Sequence, residues 1–301
     1  MHINSGVFHV NLNCTDLDRS LAFYVDLLGL TAGTATAPEK NQDGTVFGLR
    51  SARWHGRVLH DERGLGAGLA VDLLQWDTPR GVGTPNRAAD LGFHRLGLYV
   101  SDLDATFARL VAAGVRTHGA PHETAVDGGS TVRTVVVDDP DGLLVELVEV
   151  GVDRTGFVAV GVADLDRSVA FYRDVLGFRP LFERGPLRQP GDQLGLDGEI
   201  ALRAAYLDDP RGGAFLLELV EMLDPVATGR PSEEAHRTGL FRMAFLSDDL
   251  ARDHAALTER GVVCWSPPGP VELGPGVPTV EAFLFEDPDG AVLELIGTPT
   301  G

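Results

Sequence analysis

Histidines and carboxylates in the first half of the chain have the residue types that bind metals or transfer protons. Seven of the nine histidines lie before residue 150. In the strand-like run Phe8 to Cys14, side chains alternate between two faces, so His9 shares a face with Asn11 and Asn13. Imidazole together with nearby carboxylates suits a divalent metal ion or acid–base catalysis. His9 is therefore a candidate for either role.

Two phrases of the sequence occur twice, and they divide the chain into similar halves. DLDRSLAFYVDLLGL (residues 16–30) returns as DLDRSVAFYRDVLGF (residues 164–178). DDPDGLLVELVEV (residues 138–150) returns as EDPDGAVLELIGT (residues 286–298). The repeat predicts two domains, residues 1–152 and 153–301.

Each half contains a looser internal repeat, which gives four modules that start near Val7, Phe93, Phe157 and Phe241. Every module opens with an alternating strand and continues into a helix with an apolar stripe. An aspartate stands at each predicted helix N-cap and a glycine at each C-cap. The Asp-Pro-Asp-Gly tetrads are typical of tight hairpin turns. The pattern predicts an α+β fold built from four β-α-β-β-β modules.

Composition indicates which kinds of molecule the protein is expected to bind and where it is expected to be found. The net charge of −19 disfavours nucleic acid, because phosphate binding needs a basic surface. We found no apolar run long enough to predict a membrane span and no signal-like start in Met1 to Gly6. With only two cysteines, the expectation is a cytoplasmic protein with reduced thiols. The sequence does not decide between a monomer and a homodimer.

The combination of the Asp-Leu-Asp-Arg-Ser…Phe-Tyr…Leu-Gly helix with Asp-Pro-Asp-Gly-x-x-x-Glu resembles the vicinal oxygen chelate superfamily. That superfamily includes glyoxalase I, bleomycin resistance proteins and extradiol dioxygenases. The resemblance implies two glyoxalase-like domains whose curved mixed sheets form cups. In catalytic members, the first and last strands of the modules supply ligands to a divalent metal. Here the resemblance puts His9, Arg95, Phe157 and Arg242 on the first strands, and Asp72, Glu146, Glu218 and Glu294 on the last strands.

If each half forms its own cup, the first half is the working cup and the second is degenerate. The candidate catalytic residues are His9, Glu146 and Tyr99. The candidate ligand-binding residues are Asn11, Asn13, Asp72, Trp76 and Arg95. A metal would be held by His9, Glu146 and either His94 or Asp72, although alternation places His94 on the face opposite Arg95 unless a bulge intervenes.

Arginine at two metal positions predicts a substitution of guanidinium for metal, because a guanidinium can bridge two buried carboxylates. We expect Arg95 between Asp72 and Glu146, and Arg242 between Glu218 and Glu294. The leading hypothesis is a protein without a cofactor that binds or metabolises a small molecule, such as a secondary metabolite, an antibiotic or an aromatic compound. The alternative is a metal-dependent lyase, isomerase or dioxygenase using Zn²⁺, Fe²⁺, Ni²⁺ or Mn²⁺.

Overall fold

The four predicted modules are present in the computed structural model, which describes residues 6–125, 130–212, 215–231 and 233–297. The first two modules contain β1 Val7–Asn13, α1 Leu17–Leu21 with a π-helical continuation Ala22–Leu27, β2 Thr31–Thr36, β3 Gln42–Asp43, β4 Ser51–His60, β5 Ala70–Thr78, β6 Gly92–Val100, α2 Leu103–Ala112, β7 His122–Ala125, β8 Thr131–Asp138 and β9 Leu144–Glu149. The last two contain β10 Arg154–Gly161, α3 Leu165–Asp174, β11 Arg179–Pro190, β12 Glu199–Asp208, β13 Leu216–Asp224, β14 Gly239–Leu246, α4 Leu250–Glu259, β15 Gly269–Val271, β16 Val280–Glu286 and β17 Val292–Gly297. The α+β fold is confirmed.

The predicted helix caps are confirmed. Asp16, Asp102, Asp164 and Asp249 each accept a hydrogen bond from the backbone N–H three residues ahead. Each aspartate satisfies a donor that the first turn leaves unpaired. The glycines that end the helical segments have positive φ, as at Gly29 and Gly177, which both have φ of 80°.

The modules pair differently from our expectation. One sheet has the strand order β15-β16-β17-β14-β1-β5-β4-β2 and joins modules one and four. The other has the order β11-β12-β13-β10-β6-β9-β8-β7 and joins modules two and three. We call their concave faces the terminal cup and the central cup. The expectation that each half forms its own cup is therefore wrong, because first strand β1 pairs with β14 and β6 pairs with β10.

The repeated phrases tie the two sheets together inside each half. The hydroxyl of Tyr24 donates to Asp139 at 2.9 Å, and that of Tyr172 donates to Asp287 at 3.1 Å. Asp139 and Asp287 also accept backbone N–H bonds within their Asp-Pro-Asp-Gly turns. The helix phrase thus docks on the turn phrase of the next module, which explains why the two recur together.

Strand faces follow the predicted alternation. Val10, Leu12 and Cys14 pack in the large apolar core, and so do their counterparts on β6, Leu96 and Leu98. Burial raises the pKa of the Cys14 thiol to about 12, as is typical of an unreactive core cysteine.

Two long stretches that follow the repeated helix phrase contain regular structure. The stretch from Thr31 to Gly66 includes β2, β3 and β4, so His55 and His60 lie on a strand of the terminal sheet. His55 lies 3.4 Å from Asp77, and His60 contacts the carbonyl of Asp61.

The same holds in module three, where β11 and a 3-10 turn Asp192–Leu194 occupy much of the stretch from Glu183 to Glu199. No helix in the described ranges has the length and apolar character needed to cross a membrane.

Candidate functional site in the central cup

Aromatic side chains fill the terminal cup. Phe47, on the 3-10 turn Thr45–Phe47, packs edge-on against Trp54 and Trp76 with ring centroids 5.6 and 5.7 Å away. The three side chains are almost fully buried. Trp54 and Trp76 face each other across β4 and β5. Trp76, predicted to stack on a ligand, instead packs inside the protein.

The polar residues beside these rings bind one another. The Nε1 of Trp76 donates to Asn13 at 2.9 Å, and the side-chain amide of Asn13 donates to the carbonyls of Ala235 and Arg237. Asn11 donates to the backbone carbonyl of Asp72 at 3.0 Å. Asn13 thus ties module one to the segment before module four, whereas Asn11 bonds within module one and its buried Oδ1 has no partner among the described residues.

A charged cluster lies deeper in the terminal cup. The Nε of Arg242 lies 2.7 Å from Glu294, and its Nη2 lies 3.3 Å from Asp72. The Nε2 of His9 lies 3.6 Å from Glu294 and 3.9 Å from Asp72. Burial favours a higher pKa for Glu294, but the Arg242 guanidinium, assisted by His9, holds it below its ordinary value. For Asp72 burial dominates, and its pKa is raised.

The floor of the central cup has the corresponding arrangement. Arg95 binds Glu218 at 2.5 Å through Nη2, and its Nε lies 2.9 Å from Glu146. The expectation that each arginine lies between two carboxylates is met, but the partners are exchanged. Arg95 pairs with Glu218 instead of Asp72, and Arg242 pairs with Asp72 instead of Glu218, because the modules pair across the halves. Although burial works against its charge, the two carboxylates raise the pKa of Arg95.

A cavity of about 200 Å³ opens above this floor. Its walls carry four aromatic rings, those of Tyr99, Phe157, Phe182 and Tyr206, among aliphatic side chains such as Val136, Leu202 and Val220. Arg95, Glu146 and Glu218 form its charged end. An apolar cavity with a few convergent polar groups is the usual form of a small-molecule site.

Side-chain size at equivalent positions explains why one cup is filled and the other open. Trp54 faces Trp76 across β4 and β5, and the corresponding pair on β12 and β13 is Leu202 opposite Met222. The 3-10 turn that inserts Phe47 into the terminal cup returns in module three, where it inserts Leu194. Three aromatic side chains are thus replaced by smaller aliphatic ones, and the space they leave contributes to the cavity.

Sequence reasoning missed several residues of this site. The hydroxyl of Tyr206 donates to Glu218 at 2.7 Å and accepts from Arg184 at 3.3 Å, and Phe182 stacks on the Tyr206 ring. Thr134 donates to Glu146 at 2.7 Å. Comparison of the two halves could have revealed Tyr206, because the two halves differ at this position. Tyr206 stands opposite Glu218, whereas the equivalent residue opposite Asp72 is Val58.

Comparison with known proteins identifies the family. The sequence profile of the Glyoxalase/Bleomycin resistance protein/Dioxygenase superfamily matches residues 6–147 and again residues 154–295. The chain belongs to this superfamily.

Two relatives that match in sequence are each less than 30% identical to this chain. A probable chloroplastic lactoylglutathione lyase of Arabidopsis thaliana is 26% identical over 181 residues, which cover 59% of this chain and 46% of that protein. An uncharacterised protein of Escherichia coli, YaeR, is 29% identical over 144 residues, covering 48% of this chain and 95% of that protein. The chain spans about half the length of the lactoylglutathione lyases from Arabidopsis that it matches.

Solved structures of the superfamily support the tandem fold. Glyoxalase I from Zea mays superposes with a TM-score of 0.65 at 20% identity, covering 97% of this chain and 92% of that one. A putative dioxygenase from Bacillus subtilis gives a TM-score of 0.63 at 14% identity, covering 99% and 86%. At these identities the likeness concerns the fold alone.

The metal expected in catalytic members of the superfamily does not fit the residues present. The three predicted ligands do not converge, because His9 lies in the terminal cup and Glu146 in the central cup. In each cup, a guanidinium lies within ion-pair distance of two carboxylates at the predicted ligand positions. Among the described residues, no group of three or more histidine, cysteine or carboxylate side chains is arranged to hold a metal ion.

His94 lies at a β-bulge, since Arg95 stands opposite Ala159 while Phe93 stands opposite Val160. Its side chain is fully buried, and neither ring nitrogen has a hydrogen-bond partner in the described part of the chain. Burial, with the nearby Arg95, lowers the pKa of His94 well below its ordinary value, so the ring is neutral.

Proposed function

We propose that this protein binds a small organic molecule in the central cup and that arginine takes the place of the superfamily metal. The observation that carries the proposal is the cavity of about 200 Å³, which has four aromatic rings on its walls and Arg95 at its charged end. Flat apolar molecules gain from burial against such rings, and a few polar groups then orient them. A secondary metabolite, an antibiotic or another aromatic compound has the required character.

The electrostatics of the floor support the substitution of arginine for metal. Two buried carboxylates that face each other need a cation or a proton. The guanidinium of Arg95 supplies the charge through contacts of 2.5 and 2.9 Å, and arginine cannot ligate a metal. Arg242 has the same relation to Asp72 and Glu294. We propose that Arg95, Glu146 and Tyr99 contact the ligand, Tyr99 as part of the wall.

The alternative, a metal-dependent lyase, isomerase or dioxygenase, would need a different site from the one predicted. The residues nearest to a metal set are His9, Asp72 and Glu294, and Arg242 bonds to the two carboxylates. Elemental analysis of untagged protein checks this alternative. About one zinc, iron, nickel or manganese ion per chain, lost in His9→Ala, would overturn the substitution of arginine for metal.

The binding proposal is tested by filling the cup. Leu202→Trp places in the central cup the side chain that Trp54 supplies in the terminal cup. A library of aromatic metabolites and antibiotics is screened by thermal shift against wild type, because a bound ligand raises the apparent stability. We expect that compounds that stabilise the wild type do not stabilise Leu202→Trp.

The matched control is Leu181→Trp, which adds the same ring at a half-exposed position on β11. This variant should respond to the compounds as the wild type does. Equal responses of Leu202→Trp and wild type would show that the compounds bind elsewhere and would contradict the proposal. The cytoplasmic location and the homodimer stay predictions, to be checked by cell fractionation and by light scattering.

A further inference from the structure

The polar groups of the central cup form one continuous chain across its floor. Arg184 donates to the Tyr206 hydroxyl at 3.3 Å, and Tyr206 donates to Glu218 at 2.7 Å. Glu218 binds Arg95 at 2.5 Å, and Arg95 lies 2.9 Å from Glu146. The four charges alternate and sum to zero. The chain nevertheless has a positive end at Arg184 and a negative end at Glu146.

The positive end has unused bonding capacity. Arg184 is half-buried on β11 and lines the cavity, and in the described residues it has no carboxylate within ion-pair distance. Its guanidinium carries five N–H donors, of which the bond to Tyr206 uses one. The register places Thr36 at the equivalent position of the terminal sheet, so this cation is particular to the central cup. A guanidinium in this setting suits a planar anion such as a carboxylate.

The negative end can accept further hydrogen bonds. The side chain of Glu146 is 16% exposed, against 7% for Glu218, so Glu146 is the more accessible carboxylate. One of its oxygens accepts from Thr134, and the other faces Arg95. Each carboxylate oxygen has two lone pairs, so capacity remains for an N–H donor. His122, which also lines the cavity, has its Nδ1 3.3 Å from the carbonyl of Ala120.

We infer that the ligand is a dipolar aromatic molecule. Its anionic group binds Arg184, its ring lies among the aromatic walls, and an ammonium or amide N–H donates to Glu146. This inference rests on the proposed function and specifies the class of ligand. It requires both ends of the floor, and the terminal cup has Thr36 at the position equivalent to Arg184.

The test uses small probes that differ only in their charged groups. The probes are 3- and 4-(aminomethyl)benzoate, which are zwitterions, with 4-methylbenzoate, 4-methylbenzylamine and para-xylene. Binding is measured by NMR titration of the full chain. We expect a zwitterion to bind about tenfold more tightly than either singly charged probe, which is the scale of one charged hydrogen bond.

Three variants locate the two ends. Arg184→Gln should remove the advantage of 4-methylbenzoate over para-xylene, and Glu146→Gln should remove that of 4-methylbenzylamine. Arg188→Gln is the control, because Arg188 is exposed on the same strand and pairs with Glu199. It should bind every probe as the wild type does.

The outcomes separate the two proposals. Suppose that the probes bind the wild type and do not bind Leu202→Trp. If the zwitterions then bind no more tightly than the singly charged probes, or if Arg184→Gln has no effect, the inference of a dipolar ligand is wrong. The proposal that the central cup binds a small molecule is still supported in that case. If no probe binds, or Leu202→Trp binds all of them like wild type, both proposals fail. Leu194→Phe, which copies Phe47 of the terminal cup, serves as the filling variant should Leu202→Trp not fold by circular dichroism.

Discussion

Removing the guanidinium of Arg95 is the perturbation that probes the floor of the central cup most directly. Arg95→Met preserves much of the side-chain volume but leaves Glu146 and Glu218 without their shared cation. At an effective dielectric constant of about 20, a pair of charges roughly 4 Å apart contributes on the order of 4 kcal/mol before desolvation is counted. Breaking a buried ion pair by removing one partner costs about 3–5 kcal/mol. Since one cation serves two carboxylates here, we expect a loss in the upper part of that range.

The assay is urea unfolding followed by circular dichroism. The difference in free energy of unfolding between wild type and Arg95→Met measures the contribution of the cation that the two carboxylates share. Adding Glu146→Gln and Glu218→Gln to the variant should recover most of the loss, because neutral amides need no counterion.

Arg242→Met provides the matched comparison in the terminal cup. There the Nε2 of His9 lies 3.6 Å from Glu294 and 3.9 Å from Asp72, so a polar neighbour of both carboxylates remains when the guanidinium is removed. We expect Arg242→Met to lose less stability than Arg95→Met. A loss below about 1 kcal/mol for Arg95→Met would refute the view that Arg95 neutralises two buried carboxylates.

Three further outcomes are expected. Arg242→His places a second imidazole beside His9. We expect this variant, and not the wild type, to bind Zn²⁺ in a calorimetric titration. If the variant does not bind Zn²⁺, His9, Asp72, Glu294 and residue 242 do not converge as the structure places them. Tyr24→Phe should cost about 1–2 kcal/mol in urea unfolding, because it removes the donor to buried Asp139. Burial raises the pKa of Asp139 to about 6, so its favourable contribution is complete below about pH 4 and is lost as the pH rises through about 6. The stability of wild type relative to Asp139→Asn should therefore fall by about 3 kcal/mol across that window, and a flat difference would contradict the shift.

Local structure was predictable because local rules determine it. The cap at Asp16 and the faces of β1 follow from bonds and alternation within a few residues. The same rules placed His9 and Arg95 on the concave faces and Cys14 in the core. Each of these features depends on neighbours in sequence, which a single sequence displays directly.

The pairing of modules was not predictable in this way. Strands β1 and β14 are separated by more than 200 residues, and the first strands of all four modules have similar alternation. Any of them satisfies the hydrogen bonds of another, so the pattern does not select a partner. The error then spread to every contact across a cup, which is why the partners of Arg95 and Arg242 were exchanged.

Trp76 and Asn13, which we expected to contact a ligand, instead pack inside the filled terminal cup. Trp76 and Asn13 looked like ligand contacts because their types are common in binding sites, yet they bond to each other inside the protein. A large side chain on a concave face offers surface for a ligand to contact, but it also occupies the space that the ligand would need. Where the positions equivalent to Trp54 and Phe47 carry Leu202 and Leu194, both side chains line an open cavity. In a repeated fold, the cup with the smaller side chains on its concave face is therefore the better candidate for the binding site.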